Sequence, residues 1–216
     1  MAPAKTVATP AAARPLRRDA ELNLERILAA AESIFAEHGF EASMEQVAAA
    51  AGVGIGTLYR RFPDKESLVV AVVEMAGQRS RQLALSVLAE CPPEDGIFEF
   101  MRRCLATPSL GALVACSPRA AATHASLVAL VAPTVDRLLV AARAAGAIRP
   151  DVTFSDIVVI LVAIRSVGER CGEVGPQQSE RHLELLIDGL RATASVLPHR
   201  PLTRSQLDAL LVRKRD

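Results

Sequence analysis

The chain has 216 residues, half of them hydrophobic, enough for one large or two small domains around a substantial core. Only 3% are aromatic, with no Trp and one Tyr, while 38 are Ala; this excludes disorder, disfavours a sheet protein and points to an all-α fold. Twenty-five basic residues against 24 acidic give a net charge of +1, which by itself carries no sign of a nucleic-acid partner.

Residues 1–18 hold Lys5, Arg14, Arg17 and Arg18, three prolines and no acidic residue, and read as a flexible basic arm. They lack the continuous apolar stretch of a signal peptide. Helical periodicity starts near Asp19, with Leu24, Ile27, Leu28, Ala31, Ile34 and Phe35 on one face, and Gly39 stops it. Ser43-Met-Glu-Gln46 is a capping-box pattern that opens a short helix through Ala51. Gly52 ends that helix, and a second short segment, 54–62, follows at once. Pro63-Asp64 restarts a helix running to about Ala89, and 91–96 is a linker.

Further helices are expected at Ile97–Leu105, near Leu110–Cys116, and from Ser117-Pro118 to Ala145 with Pro133 inside. Others are expected at 154–170 and 180–197, and a short last one behind Thr203-Arg-Ser-Gln206. The longest apolar runs, such as Ile157–Ile164, fall well short of the roughly 20 residues that span a membrane. The scattered Cys91, Cys104, Cys116 and Cys171 fit neither a disulfide framework nor, with the dispersed histidines, a metal site. A soluble cytoplasmic protein with no cofactor is expected.

The informative stretch is 43–62, SMEQVAAAAGVGIGTLYRRF. Two helices of under three turns joined at a glycine make a helix-turn-helix. Val47, Ala48, Ala51, Val53 and Leu58 are its expected inner face. Gly54 and Gly56 at a helix start cost roughly 1 kcal/mol each, a cost offset if backbone must approach a groove or a phosphate closely. Thr57 and Tyr59 bring hydroxyls, Arg60, Arg61 and Lys65 bring charge, and Ile55 offers a surface for a thymine methyl. Gly52-Val-Gly54-Ile-Gly56 is no dinucleotide fingerprint, since a helix precedes it and its third Gly comes one residue early.

These residues, with ILAAAESIFAEHGF before them and Gly56-Thr57-Leu58-Tyr59, Phe62, Lys65, Glu66 and Leu68, resemble the TetR family of bacterial transcriptional regulators over about residues 19–68. The resemblance implies that Thr57, Tyr59, Arg61 and Lys65 meet phosphates, and that Gly54 and Ile55 meet bases. Tyr59 is placed at a base as well, and Arg60 further from the groove. Ser43, Arg17 and Arg18 complete the expected double-stranded DNA contact set. The expected domains are 1–18 (arm), 19–65 (DNA-binding) and 66–216 (regulation and dimerisation).

The 154–170 segment is apolar nearly all round, and 180–197 carries Leu183, Leu186, Ile187, Leu190, Ala194 and Leu197. Together they predict a four-helix homodimer interface. Phe98, Met101, Cys104, Leu105, Cys116, His124, Leu127, Leu161 and Arg165 are candidates to line a pocket for a small-molecule effector. Arg165 interrupts an apolar helix and needs a carboxylate, an interface group or an anionic ligand; Glu169 lies one turn on. No nucleophile–base pair supports catalysis. The expected function is a repressor released from a palindromic operator by an effector. The alternative is a TetR-like protein acting through protein partners with weak DNA binding.

Overall fold

A computed structural model of the protein describes residues 13–108, 114, 117–191 and 197–212; the side chains of 13–21, 169 and 212 lie outside that description. The helices, in chain order, are α1 (Ala13–His38), α2 (Met44–Ala51), α3 (Ile55–Arg61), α4 (Lys65–Glu90) and α5 (Gly96–Leu105). They continue with α6 (Pro118–Ala144), α7 (Phe154–Arg170), α8 (Gly175–Leu190) and α9 (Arg204–Val212). The fold is all-α. Among the described residues the sole β-type pairing is an isolated bridge between Ile148 and Arg191.

Local sequence accounts for most boundaries. The Ser43 hydroxyl accepts from Gln46 N at 3.2 Å while the Gln46 side chain accepts from Ser43 N at 2.7 Å. Asp64 and Ser67 repeat that reciprocal cap at the start of α4, and the Ser67 backbone N–H, then its hydroxyl, hold the Asp64 carboxyl below its ordinary range. Ser117 caps α6, with Pro118 in the first turn. Gly39, Gly52 and Gly146 take left-handed backbone at the ends of α1, α2 and α6.

Two boundaries differ from expectation. Helix α1 begins at Ala13, not near Asp19, so 13–18 are helical rather than a flexible arm. Ala, Leu and Arg are good helix formers, and Pro15 is tolerated in a first turn. Helix α8 starts at Gly175, where Pro176 supplies the N-terminal signal, and ends at Leu190. Residues 1–12, the expected helix near Leu110–Cys116 except Val114, and Ala194 lie outside the described residues.

The apolar faces assemble into two cores. Ile27, Ala31 and Phe35 of α1 join Val47, Ala48, Ala51, Leu58, Phe62, Leu68, Val69, Val72 and Val73, with Ala120 and Ala121 from the start of α6. The second core runs from Ala84 and Val87 through α5, the rest of α6, α7 and α8 to Leu207 on α9. The division falls inside α4, between Val73 and Ala84, so α4 and α6 are shared by both cores.

Ion pairs reinforce the shared helices. Arg79 on α4 holds the buried Glu32 of α1 at 2.9 and 3.1 Å. Glu66 accepts from the Ser117 hydroxyl at 2.7 Å and pairs with Arg119 at 3.4 Å. At Gly77 the two helices pack tightly: a Cβ there would stand 2.5 Å from Cδ1 and 2.8 Å from Cβ of Leu127. By length and composition α6 is apolar enough to cross a membrane, with mean hydropathy 1.7. Its alanines hide that from a search for runs of large apolar side chains. In the fold it is a core helix, burying Ala120, Ala121, Val131, Ala132, Val135, Leu138, Leu139 and Ala142.

Candidate nucleic-acid interface

Helices α2 and α3 pack as a helix-turn-helix. Val47, Ala48, Ala51 and Leu58 are buried between them and Val53 is half-buried, as the spacing predicts. Gly52, at φ +65°, turns the chain, and Arg26 of α1 donates to Ala51 O at 2.7 Å, capping the last turn of α2. These short helices contribute little on their own and rest on α1 and α4 for stability.

The other side of α3 faces solvent. Gly54, Ile55, Gly56, Tyr59, Arg60 and Arg61 are exposed, with Ile55 at 39% and Tyr59 at 44%, while Thr57 is half-buried. An exposed Ile beside the chain's single Tyr forms no part of the core beneath. A Cβ at Gly54 or at Gly56 would meet nothing within 4 Å, so nothing inside the protein requires glycine at either position.

Three expected contact residues have internal partners. Ser43 caps α2. The Lys65 ammonium donates to Phe40 O and stands 4.3 Å from the centre of the Phe40 ring, fastening the α1–α2 turn to the start of α4. Arg61 lies 5.9 Å from the Phe62 ring and borders a cleft under α3. The side chains of Arg17 and Arg18 lie outside the described residues.

Most of the expected effector residues lie in or against the second core, and Leu127 does not. Phe98 and Met101 are buried core, with Arg191 5.0 Å over the Phe98 ring. Leu105 and Leu161 are half-buried against that core. Arg165 reaches across from α7 to the end of α5, donating to Cys104 O, to Thr107 O at 2.7 Å and to Thr107 Oγ1 at 3.0 Å. Cys104 O also accepts from the Thr107 N–H at 3.2 Å and the Thr107 hydroxyl at 2.7 Å. The guanidinium thus completes a cap at the end of α5, where a cation is favourable and which sequence spacing could not reveal. Cys116 and the side chain of Glu169 lie outside the described residues. Leu127 belongs to the other core, against Gly77.

Burial pushes the Cys104 thiol up to about 12, against the opposing charge of Arg165. Burial also lowers His124, and the charge of Arg165 lowers it further; its Nδ1 is buried with no hydrogen-bond partner among the described residues. The unfolded chain therefore takes up a proton at His124 below pH 6.5 that the folded chain refuses. The folded state loses stability as pH falls from 6.5 toward the depressed folded value, by at most about 1.4 kcal/mol per pH unit. Chemical denaturation of the native chain and of His124→Phe at pH 7.5 and 5.5 checks this: the variant is expected to lose less stability on acidification. An equal loss in both would contradict it.

A cleft of about 590 Å³ opens at the side of the first core, walled by Leu24, Leu28, Phe62, Ala71, Met75 and Leu127, with Arg61, Glu74, Gln78, Thr123 and Ser126 also bordering it. Of the expected pocket residues only Leu127 lines it. Among the described residues no group of three or more His, Cys, Asp or Glu side chains is placed to hold a metal ion.

A helix-turn-helix with a glycine-opened, exposed second helix, braced by a long helix into a separate helical core, defines a DNA-binding regulator. Residues 27–72 match the model of bacterial regulatory proteins of the tetR family, and residues 92–192 match the SbtR-like transcriptional-regulator C-terminal domain. A TetR transcription regulatory protein from Mycobacterium vanbaalenii is 34% identical, with TM-score 0.64, over 82% of this chain and 100% of that one. A TetR transcriptional regulator from Streptomyces coelicolor is also 34% identical, with TM-score 0.60, over 79% and 99%. An HTH-type transcriptional regulator of Staphylococcus aureus (strain USA300) is 43% identical over 60 residues, which cover 27% of this chain and 32% of that relative. The chain belongs to the TetR family of bacterial transcriptional regulators.

Proposed function

We propose that the protein is a cytoplasmic repressor that binds a palindromic operator as a homodimer and leaves it when a small-molecule effector occupies the regulatory half. The observation that carries the DNA-contact assignment is the pair of glycines at the start of α3. Gly56 costs helix stability, fills no tight internal space, and lies beside Ile55, Tyr59 and Arg60 on one exposed face. A glycine retained there suits backbone approaching DNA closely.

Gly54 and Ile55 meet base edges in the major groove, Tyr59 a base or a phosphate, and Thr57 and Arg61 phosphates. Arg60 lies at the edge of the contact, with Arg17 and Arg18 from the start of α1. Ser43 acts through its cap and adds a phosphate contact at the α2 N-terminus. Lys65 anchors the Phe40 turn and keeps N–H bonds for a phosphate. The effector site takes Cys104, Leu105, His124, Leu161 and Arg165, with Phe98 and Met101 as its floor.

Opposite-signed effects test the interface. Gly56→Ala is expected to stabilise the folded chain by up to about 1 kcal/mol while weakening operator binding by about tenfold. Thermal denaturation and fluorescence anisotropy on the same preparation read both. Unchanged DNA affinity in the stabilised variant would overturn the assignment of this face.

Dimerisation is supported by the outer faces of α7 and α8. Leu183, Ile187 and Leu190 turn inward, while Leu185 and Leu186, 55% and 41% exposed, turn outward beside the exposed Val162 and Val167 of α7. Apolar side chains on two adjacent helices suit a second copy of the same pair. The two-fold axis then sets two α3 helices in successive major grooves about 34–36 Å apart.

A further inference from the structure

We propose that the cleft beside the first core, walled by α1, the end of α3, α4 and α6, is a second binding site, taking a small zwitterion with an apolar body, of the apolar amino-acid or dipeptide type. At about 590 Å³ it falls within the size range of small-molecule sites. Its walls are mainly apolar, from Leu24, Leu28, Phe62, Ala71, Met75 and Leu127. Two opposite charges border it, Arg61 at the end of α3 and Glu74 on α4. Neither takes part in an ion pair with the other or with any other described residue. A ligand of either net charge meets attraction at one end and repulsion at the other; a zwitterion pairs with both, its carboxylate at Arg61 and its ammonium at Glu74.

The position gives occupancy a consequence. Leu127 is both a wall of the cleft and the side chain lodged against Gly77, in the packing of α4 on α6. A bound molecule therefore touches the contact that sets how the first core sits on the second. It also engages Arg61, a residue assigned to phosphate. The site itself stands on geometry and charge; its effect on operator affinity rests on the repressor reading.

Methionines allow a direct test on the full chain, because there are four, Met1, Met44, Met75 and Met101, and Met75 alone lines the cleft. With ¹³C-methyl methionine, leucylphenylalanine is expected to shift the Met75 resonance saturably at millimolar concentration, leaving Met44 and Met101 in place. Its N-acetyl and C-terminal amide forms, each with one charge removed, are expected to bind about threefold more weakly or worse. Ala71→Trp fills the cleft and is expected to abolish the shift. Glu74→Gln, at an exposed position, is expected to weaken the dipeptide but not the N-acetyl form, which loses a repulsion.

An unmoved Met75, equal affinity for the blocked forms, a shift that survives in folded Ala71→Trp, or movement of Met101 in its place would overturn the proposal. If Ala71→Trp does not fold, Glu74→Gln decides. Operator binding by the same sample separates the two readings. A shifted Met75 in a protein that binds no operator leaves the site standing and removes the repressor. Operator binding with an unmoved Met75 does the reverse.

Discussion

Gly77→Ala is expected to lower operator affinity by about tenfold or more while changing stability by less than the affinity loss implies. A helix-interior Gly→Ala change ordinarily gains about 1 kcal/mol. Here the new methyl would stand 2.8 Å from Leu127 Cβ, an atom fixed to the α6 backbone that no rotamer change moves away. Overpacking of this kind costs about 1–3 kcal/mol and is relieved by moving one helix off the other. The two terms largely cancel in stability, but the displacement of α4 remains, and α4 carries the core on which α3 rests. Leu127→Gly added to Gly77→Ala removes the opposing Cβ and restores the space, so the double variant is expected to recover operator affinity. Anisotropy titrations of the single and double variants check this, with denaturation alongside. A single variant that binds the operator normally would show that the α4–α6 contact does not govern α3.

The second large effect is expected from Leu185→Glu combined with Leu186→Glu. Both side chains point away from the core that Leu183, Ile187 and Leu190 fill, so each chain keeps its fold while the apolar outer face gains two charges. Sedimentation is expected to show a monomer. Operator affinity is expected to fall by about 100-fold or more, since a second recognition helix bound through a rigid dimer acts at high effective concentration. A monomer that retains full affinity would remove the two-fold geometry from the account, and a persistent dimer would place the interface elsewhere.

The helix-turn-helix is legible in the sequence because its determinants are local. Ser43 and Gln46 cap within one turn, Gly52 turns the chain where the spacing places it, and the buried side of α2 and α3 follows from period. Local signals also misled. Pro15 and the basic cluster at 14–18 read as an arm, whereas Ala13–His38 is one helix. The helix expected from residue 180 opens five residues earlier, at Gly175-Pro176.

The regulatory half yields less to sequence because its pairings are distant. Arg165 finds its partners on α5, through Cys104 and Thr107, rather than along α7. Leu127, grouped by sequence with the effector residues, packs against Gly77 at the joint between cores. The cleft is built from α1, the end of α3, α4 and α6, four segments that no spacing rule relates.

Whether the protein recognises an operator is tested most directly by quantitative footprinting of the full-length chain on its own upstream DNA, titrated at several salt concentrations. Protection of two half-sites about one helical turn apart is expected, preferred over scrambled DNA and weakening steeply as salt rises. Protection without sequence preference, or none at low salt, would contradict it.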